Sequence, residues 1–428
     1  MRLLFLTNFY PPAELGGWEQ LCREMVEALS ARGHEVAVLT SRFRRDRAAG
    51  AEPRVHRVLH LESDPFHYSP ANLLRHLAWQ DKSNHDYLRK LVADFQPDVI
   101  SIWGMWLLNP QLAVLSEDLC RGRVAYYLCG FWPSNDWEGD PHTAYWRLAS
   151  RRRWLALAKR PVAELVGTFM RRRRSRAPDF AHVACVSQFV LDELRRGGLG
   201  LSAGRVIYNG IDLQTFCFPV AERFNMHRPG PRLRLLYAGS ITPQKGPETA
   251  VRAIATLAAR HPNLDLRLTL AGMGPTDFVD QLKAIATEHS LNEHVRFLGW
   301  IARREMPMLL RESDVLLFTS SWQEPLARVM MEGMAAGVAL VTTVTGGTGE
   351  VITPGVDALA FAPGDADDLA AQIERLVNNP ALLRQLAEEG QQTAIRRFDF
   401  RRMTDEMEAF LAELAPAPCT GQPLAVRT

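Results

Sequence analysis

The chain has 428 residues, 47% of them apolar and 23% charged, with a formal net charge of +2. That length is too great for one ordinary core, so two domains are expected, in a composition ordinary for a soluble globular protein. No run of about 18 apolar residues occurs, which argues against a membrane-spanning helix, and the six cysteines form no C-x-x-C pair or zinc-like spacing. The cysteines read as reduced thiols of a cytosolic protein. The opening "MRLLFLTNFY" is too short for a signal-peptide core and lacks its cleavage pattern.

The first predicted element is a strand, "RLLFLTNF", followed by the Pro-Gly loop "YPPAELGG". In "WEQLCREMVEALSARG", Leu21, Met25 and Leu29, with Cys22 and Val26, recur at helical spacing, and Gly33 supplies the stop. "HEVAVLTS" is the next strand, completing the βαβ unit of a parallel sheet. Further on, "RLASRRRWLALAKRPVAELVGTFMRRRRSR" places eleven Arg or Lys and one Glu between positions 147 and 176. Its mixture of Arg with Leu, Trp, Val and Phe suits an anionic membrane surface better than nucleic acid, and a solvated basic helix pair is the alternative. Six of the ten tryptophans fall between 103 and 154. Sugar stacking or a membrane interface would use such faces, while core packing is expected for Trp103 and Trp154.

The strand–loop–helix–strand order returns in "LRLLYAG", "SITPQKG", "PETAVRAIATLAAR" and "LDLRLTLAG". Between the halves, "LQTFCFPVAERFNMHRPGPR" is broken by prolines and Gly230, as a linker would be. The expected division is an N-terminal Rossmann-like domain at 1–212, a linker at 213–231 and a C-terminal Rossmann-like domain at 232–395. A helix at 396–415 crosses back to the N-domain, and a disordered tail follows at 416–428. Open parallel sheets bind ligands beyond the carboxyl ends of their strands, so two such domains facing across a cleft would each present one substrate.

The strand "SDVLLFTSS" leads through "WQEP" into an expected helix with Pro325 in its first turn and Gly337 at its end. Glu324 then lies just outside a helix N-terminus, where free N–H groups of residues 326 to 328 favour an anion. A carboxylate beside an anion site is unfavourable unless it binds something else, and sugar hydroxyls are good donors to it. The competing reading pairs Glu332 with Arg328 at i, i+4 on a solvated face. "DADD" at 365–368 reads as a helix N-cap, and no metal ligand set is expected. His34 and Asn209 read as structural.

The run from Glu324 through Glu332, Gly337, Gly346 and Gly347 to Glu350 resembles the signature of the family-4 retaining glycosyltransferases, which have the GT-B fold. The resemblance extends through "PPAELGGWEQ", "VIYNGID", "AGSITPQKG", "LAGMGP" and "HVRFLGW" and covers most of the chain. It implies that Glu332 binds the ribose hydroxyls of a nucleotide-sugar donor and Glu324 the sugar hydroxyls. Backbone amides near Leu326, Ala327 and Arg328 would hold the diphosphate, and Lys245 would neutralise the leaving phosphate. Gly239, Ser240, Gly299 and Trp300 would complete the donor side in the C-terminal, nucleotide-sugar-binding domain, with Gly16 and Gly17 approaching the phosphates from the N-terminal domain, which would bind the acceptor. No cofactor or metal is implied beyond the donor itself.

Three departures from the family stand out. Ser240 occupies a position where the family usually has Arg. Ala327 and Arg328 replace the usual Gly and apolar residue, so Arg328 is a candidate replacement cation. Cys129 and Gly130 stand where relatives carry His, which leaves Cys129, Trp132, Asn135 and Asp136 as acceptor-side candidates. The expected activity is metal-independent sugar transfer with retention to a hydroxyl acceptor, soluble or lipid-linked, in bacterial glycan or glycolipid synthesis. The expected place is the cytoplasm, peripheral on the inner membrane face through 147–176. Rival readings are a GT-B epimerase or phosphorylase, and a noncatalytic sugar-nucleotide or membrane-binding protein.

Overall fold

A computed structural model describes residues 1–47, 52–65, 70–134, 176–221 and 232–416. Most of the basic segment, together with Asn135, Asp136, Trp154 and the tail from 417, lies outside the described residues. The chain divides into two compact units. The first comprises Met1–Cys185, Leu191–Val206 and Thr404–Thr428, and the second comprises Val186–Val190 and Ile207–Met403.

The first unit is built on seven strands: β1 (Arg2–Thr7), β2 (Glu35–Ser41), β3 (Val55–Leu59), β4 (Val99–Gly104), β5 (Val124–Leu128), β6 (Val183–Cys185) and β7 (Arg205–Val206). They run parallel in the order β3-β2-β1-β4-β5-β6-β7. The sequence "RLLFLT" explains the position of β1. Leu3, Leu4, Phe5 and Leu6 are all fully buried, as a strand covered on both faces requires. The helix Gly17–Ala31 buries Leu21, Cys22, Met25, Val26 and Leu29, the face expected from the spacing, and Gly33 follows at φ +89°. Trp103 is fully buried against Phe5, Trp18 and Tyr127, so it belongs to the core.

The second unit has six parallel strands in the order β10-β9-β8-β11-β12-β13. They are β8 (Arg232–Ala238), β9 (Asp265–Ala271), β10 (Val295–Gly299), β11 (Val315–Phe318), β12 (Ala339–Thr343) and β13 (Leu359–Phe361). Each sheet reverses its winding once, between β1 and β4 and between β8 and β11, which is where a doubly wound sheet opens a crevice at its carboxyl edge.

The last helix, Phe400–Ala412, buries Met403, Met407, Phe410 and Leu411. Within the first unit its Asp405 and Glu408 take Arg32 at 2.6 and 2.5 Å, and Glu408 takes His34 at 2.7 Å. His34 also contacts the chain's amino group at 3.1 Å, which accounts for it as a structural residue. The five described cysteines are free thiols. Among the described residues no helix is long and apolar enough to cross a membrane.

Gly16 and Gly17 are exposed at the start of the first long helix, where the Glu19 carboxylate accepts the Gly16 amide at 3.0 Å. Glu19 is buried, and burial pushes its carboxyl up to about 7 from 4.5, against the backbone hydrogen bonds that favour the charge. Between those two pH values the folded chain keeps a proton that the unfolded chain has lost, so stability falls as pH rises through the window. Glu19→Gln is expected to gain about 1–3 kcal/mol over the wild type at about pH 8 and nothing near pH 4.5, read from denaturant midpoints. An equal difference at both pH values would mean that folding leaves the Glu19 carboxyl unshifted.

Candidate functional site

Five loops leave the carboxyl ends of strands in the second unit, and their backbones are pressed together. The Gly239 amide donates to Ala271 O at 2.9 Å, Ile241 to Met273 O at 2.8 Å, and Gly272 to Gly299 O at 2.8 Å. A Cβ at position 272 would overlap the Gly239 carbonyl, and one at 274 the Ile241 carbonyl. The "GMG" glycines are therefore accounted for by close backbone approach. Gly239 and Ser240 are exposed, and Trp300, just past β10, is 66% exposed. The Tyr237 hydroxyl donates to the Ser240 carbonyl at 2.7 Å and fixes that turn, while burial, followed by the nearby Glu324 charge, raises the phenol above its ordinary range.

Lys245 ends the short helical turn Pro243–Lys245 that follows this loop. Its Nζ forms an ion pair with Glu324 Oε1, and the same oxygen accepts the Ser320 hydroxyl at 2.8 Å. Glu324 is only 6% exposed. A charge so far removed from water requires a partner of opposite sign, and removing that partner is costly. The structure thus joins two residues 79 positions apart in sequence. Gly346 and Gly347 are pressed onto the backbone beside that carboxylate. The Gly346 amide donates to Gln323 Oε1 at 2.8 Å and Gly347 to the Glu324 carbonyl at 2.7 Å. A Cβ on Gly346 would overlap the Glu324 carbonyl, and one on Gly347 the Pro325 carbonyl. Glu350 closes the turn, accepting the Gln188 and Phe189 amides at 2.8 and 2.7 Å and the Tyr208 hydroxyl at 3.0 Å.

Pro325 is not in a helical turn. The helix runs from Arg328 to Ala335 with Ala327 as a cap that has no side-chain acceptor, so its first-turn amides begin at Arg328. Leu326 is buried and Ala327 half-buried just before it. The segment before Arg328 is instead held by the contacts of Glu324 and Gln323 with the glycine turn. Glu332 lies 3.7 Å from Arg328, so the i, i+4 pair exists, but on a buried face: the two residues are 2% and 9% exposed. Arg303, from the turn after β10, reaches the same Glu332 oxygen at 2.6 Å. Sequence reading missed Arg303, whose partner Glu332 is remote in the chain, and it missed Ser320 and Tyr237, whose partners Glu324 and Ser240 are near in sequence but carry no motif that announces the contact.

In the first unit, Cys129 and Trp132 follow β5 and are half-buried; Trp132 packs near Phe180 and Tyr126, and burial raises the Cys129 thiol. Asp365 accepts the Asp367 and Asp368 amides at 3.0 and 2.9 Å, the expected N-cap. No three His, Cys, Asp or Glu side chains gather as a metal site among the described residues.

Two family descriptions match the chain: Glycosyltransferase Family 4 over residues 15–215 and Glycosyl transferases group 1 over residues 221–393. The chain belongs to these glycosyltransferases. A glycogen synthase of Mycobacterium tuberculosis (strain ATCC 25618 / H37Rv) is 28% identical over 432 residues, covering 96% of this chain and 95% of that protein. Among solved structures, the sucrose-phosphate synthase of Thermosynechococcus elongatus superposes with a TM-score of 0.70 at 20% identity, covering 96% of this chain and 98% of that one. Anabaena Alr3699/HepE in complex with UDP-glucose gives 0.66 at 19% identity, covering 96% and 100%. The fold of this glycosyltransferase is accordingly GT-B, with two parallel-sheet Rossmann-like units.

Arg303→Leu is expected to destabilise the glycosyltransferase by about 1–3 kcal/mol, because it strips a buried carboxylate of its closer cation. Adding Glu332→Gln in that background should return much of the loss, measured by urea unfolding of the four members of the cycle. Additive effects would show that the 2.6 Å contact carries no coupling.

Proposed function

We propose that this glycosyltransferase moves a sugar from a nucleotide-sugar donor to a hydroxyl acceptor with retention of anomeric configuration. The observation that carries the reading is the ion pair of half-buried Lys245 with buried Glu324 beyond the carboxyl ends of β8 and β11, where the sheet's winding reverses. Without donor, each residue neutralises the other. With donor, sugar hydroxyls would donate to Glu324 while Lys245 turns to the diphosphate.

Departure of a nucleoside diphosphate builds negative charge, and catalysis requires fixed donors where it develops. Lys245 and the amides around Leu326, Ala327 and Arg328 fill that role in this reading, so no metal is invoked. Glu332, oriented by Arg303, would take the ribose hydroxyls. Gly239, Ser240, Gly299 and Trp300 would border the nucleotide, and Gly16 and Gly17 would approach its phosphates. No side chain is cast as a covalent nucleophile. The acceptor hydroxyl would attack from the face the diphosphate leaves, passing its proton to a departing phosphate oxygen. That course retains configuration. The complexes that Alr3699/HepE forms with UDP and with UDP-glucose support a nucleoside-diphosphate donor.

The test is a panel of UDP-, ADP-, GDP- and TDP-sugars, read by mass spectrometry for released nucleoside diphosphate and by NMR for the anomer formed. Product formation that depends on inorganic phosphate would favour a phosphorylase. Nucleotide binding without any turnover would favour a noncatalytic protein. Lys245→Ala should lower kcat about 10²–10³-fold, the loss typical of one transition-state charge donor, while donor KM changes less. Circular dichroism would establish that the variant folds, and an unchanged kcat in a folded variant would remove Lys245 from the mechanism.

A further inference from the structure

We infer that the acceptor carries a phosphate group, and that the arginine loop after β2 binds it. The inference rests on the reading that the first unit takes the acceptor.

The loop runs from Arg42 to Arg47 and contains four arginines and one acid, Asp46. It starts at the carboxyl edge of the sheet. The Ser41 amide reaches the Asn8 carbonyl at 3.4 Å, and the Arg42 amide donates to the Leu59 carbonyl at 2.9 Å, so the ends of β1, β2 and β3 lie side by side. This is the edge at which open parallel sheets receive ligands.

Arg44 is used in building the loop. It donates to the Glu14 carbonyl at 3.3 Å and its guanidinium lies 5.0 Å from the Phe43 ring. Arg42, Arg45 and Arg47 are exposed, and none has a carboxylate within ion-pair reach among the described residues. Five other arginines of the same unit, Arg2, Arg23, Arg32, Arg54 and Arg57, each have one. Three uncompensated guanidiniums repel one another, a cost that an anion removes.

Beside them is an aromatic ridge. Phe43 packs on Phe9 at 5.3 Å, Phe9 on Trp106 at 6.0 Å, and Trp106 is 38% exposed. An exposed indole face suits the apolar face of a sugar or polyol ring. Two residues here, Arg44 at φ +53° and Leu107 at φ +61°, adopt left-handed backbone that non-glycine residues avoid. Such strain concentrates at ligand sites. Guanidinium is the side chain best matched to phosphate, which it can meet with two parallel N–H donors. A hydroxylated ring on Trp106 with its phosphate among Arg42, Arg45 and Arg47 satisfies both features. The phosphate belongs either to a soluble sugar phosphate or to a lipid headgroup.

The test uses the full chain with the donor site saturated by the nucleoside diphosphate it binds best. Glucose 6-phosphate, inorganic phosphate and glucose are titrated into wild type and into R42Q/R45Q/R47Q. In a second arm, sedimentation with phosphatidic acid vesicles is compared with phosphatidylserine vesicles of equal charge. Either glucose 6-phosphate and phosphate bind where glucose does not, or the phosphatidic acid vesicles are preferred; in either case the triple variant loses at least tenfold in affinity and keeps its nucleoside-diphosphate affinity. The soluble arm points to a sugar phosphate and the vesicle arm to a lipid. Identical behaviour of wild type and variant in both arms, with nucleoside diphosphate bound, overturns the inference and leaves the loop as solvated charge. A wild type that binds no nucleoside diphosphate overturns the donor reading itself.

Discussion

The buried carboxylate of Glu324 is the constraint on which the second unit's carboxyl edge depends. A charge held this far from water must be matched, and here it is matched by Lys245 and by a hydroxyl from Ser320. Those partners fix where β11's loop can run relative to β8's loop. The glycine turn after β12 then closes onto the Glu324 and Pro325 backbone so tightly that no Cβ fits. One electrostatic requirement therefore orders three separate loops.

The first unit solves a different problem. Its carboxyl edge is lined by aromatic rings and by Arg42, Arg45 and Arg47, which have no acidic partner among the described residues, while buried Arg57 is matched by Glu52. Exposed positive charge on one edge and a compensated interior are compatible because water screens the former and cannot reach the latter. The two units thus present chemically distinct edges although they share one architecture: an internally neutralised pair in the second, exposed arginines in the first.

The architecture was legible because its signals are local. Continuous apolar runs such as "RLLFLT" can only be strands buried on both faces in a chain that alternates with amphipathic helices, and the spacing of Leu21, Met25 and Leu29 marks one helical face. The ordered glutamates and glycines from Glu324 to Glu350 are residues that the fold gathers at the carboxyl edge of the second unit's sheet. What the sequence concealed was non-local. Pro325 carries a helix-start signal, yet the chain from Ser320 to Glu324 is tied to residues at 244–245 and 346–347, and the helix waits until Arg328. Arg303 gives no hint of Glu332, since the two meet only through the folding of the sheet. The burial of Glu332 likewise turns an apparently solvated i, i+4 pair into part of a buried cluster.

The glycine crossings behind Gly239 and Ile241 have an evolutionary consequence. Because the chain after β9 passes without room for a side chain at 272 or 274, the backbone that carries Ser240 cannot shift unless its neighbour shifts too. Tyr237 pins the same turn from inside. Change at position 240 is therefore confined to the side chain and leaves the loop's path intact. The charge of this edge can therefore be altered at position 240 without redrawing the backbone that carries it.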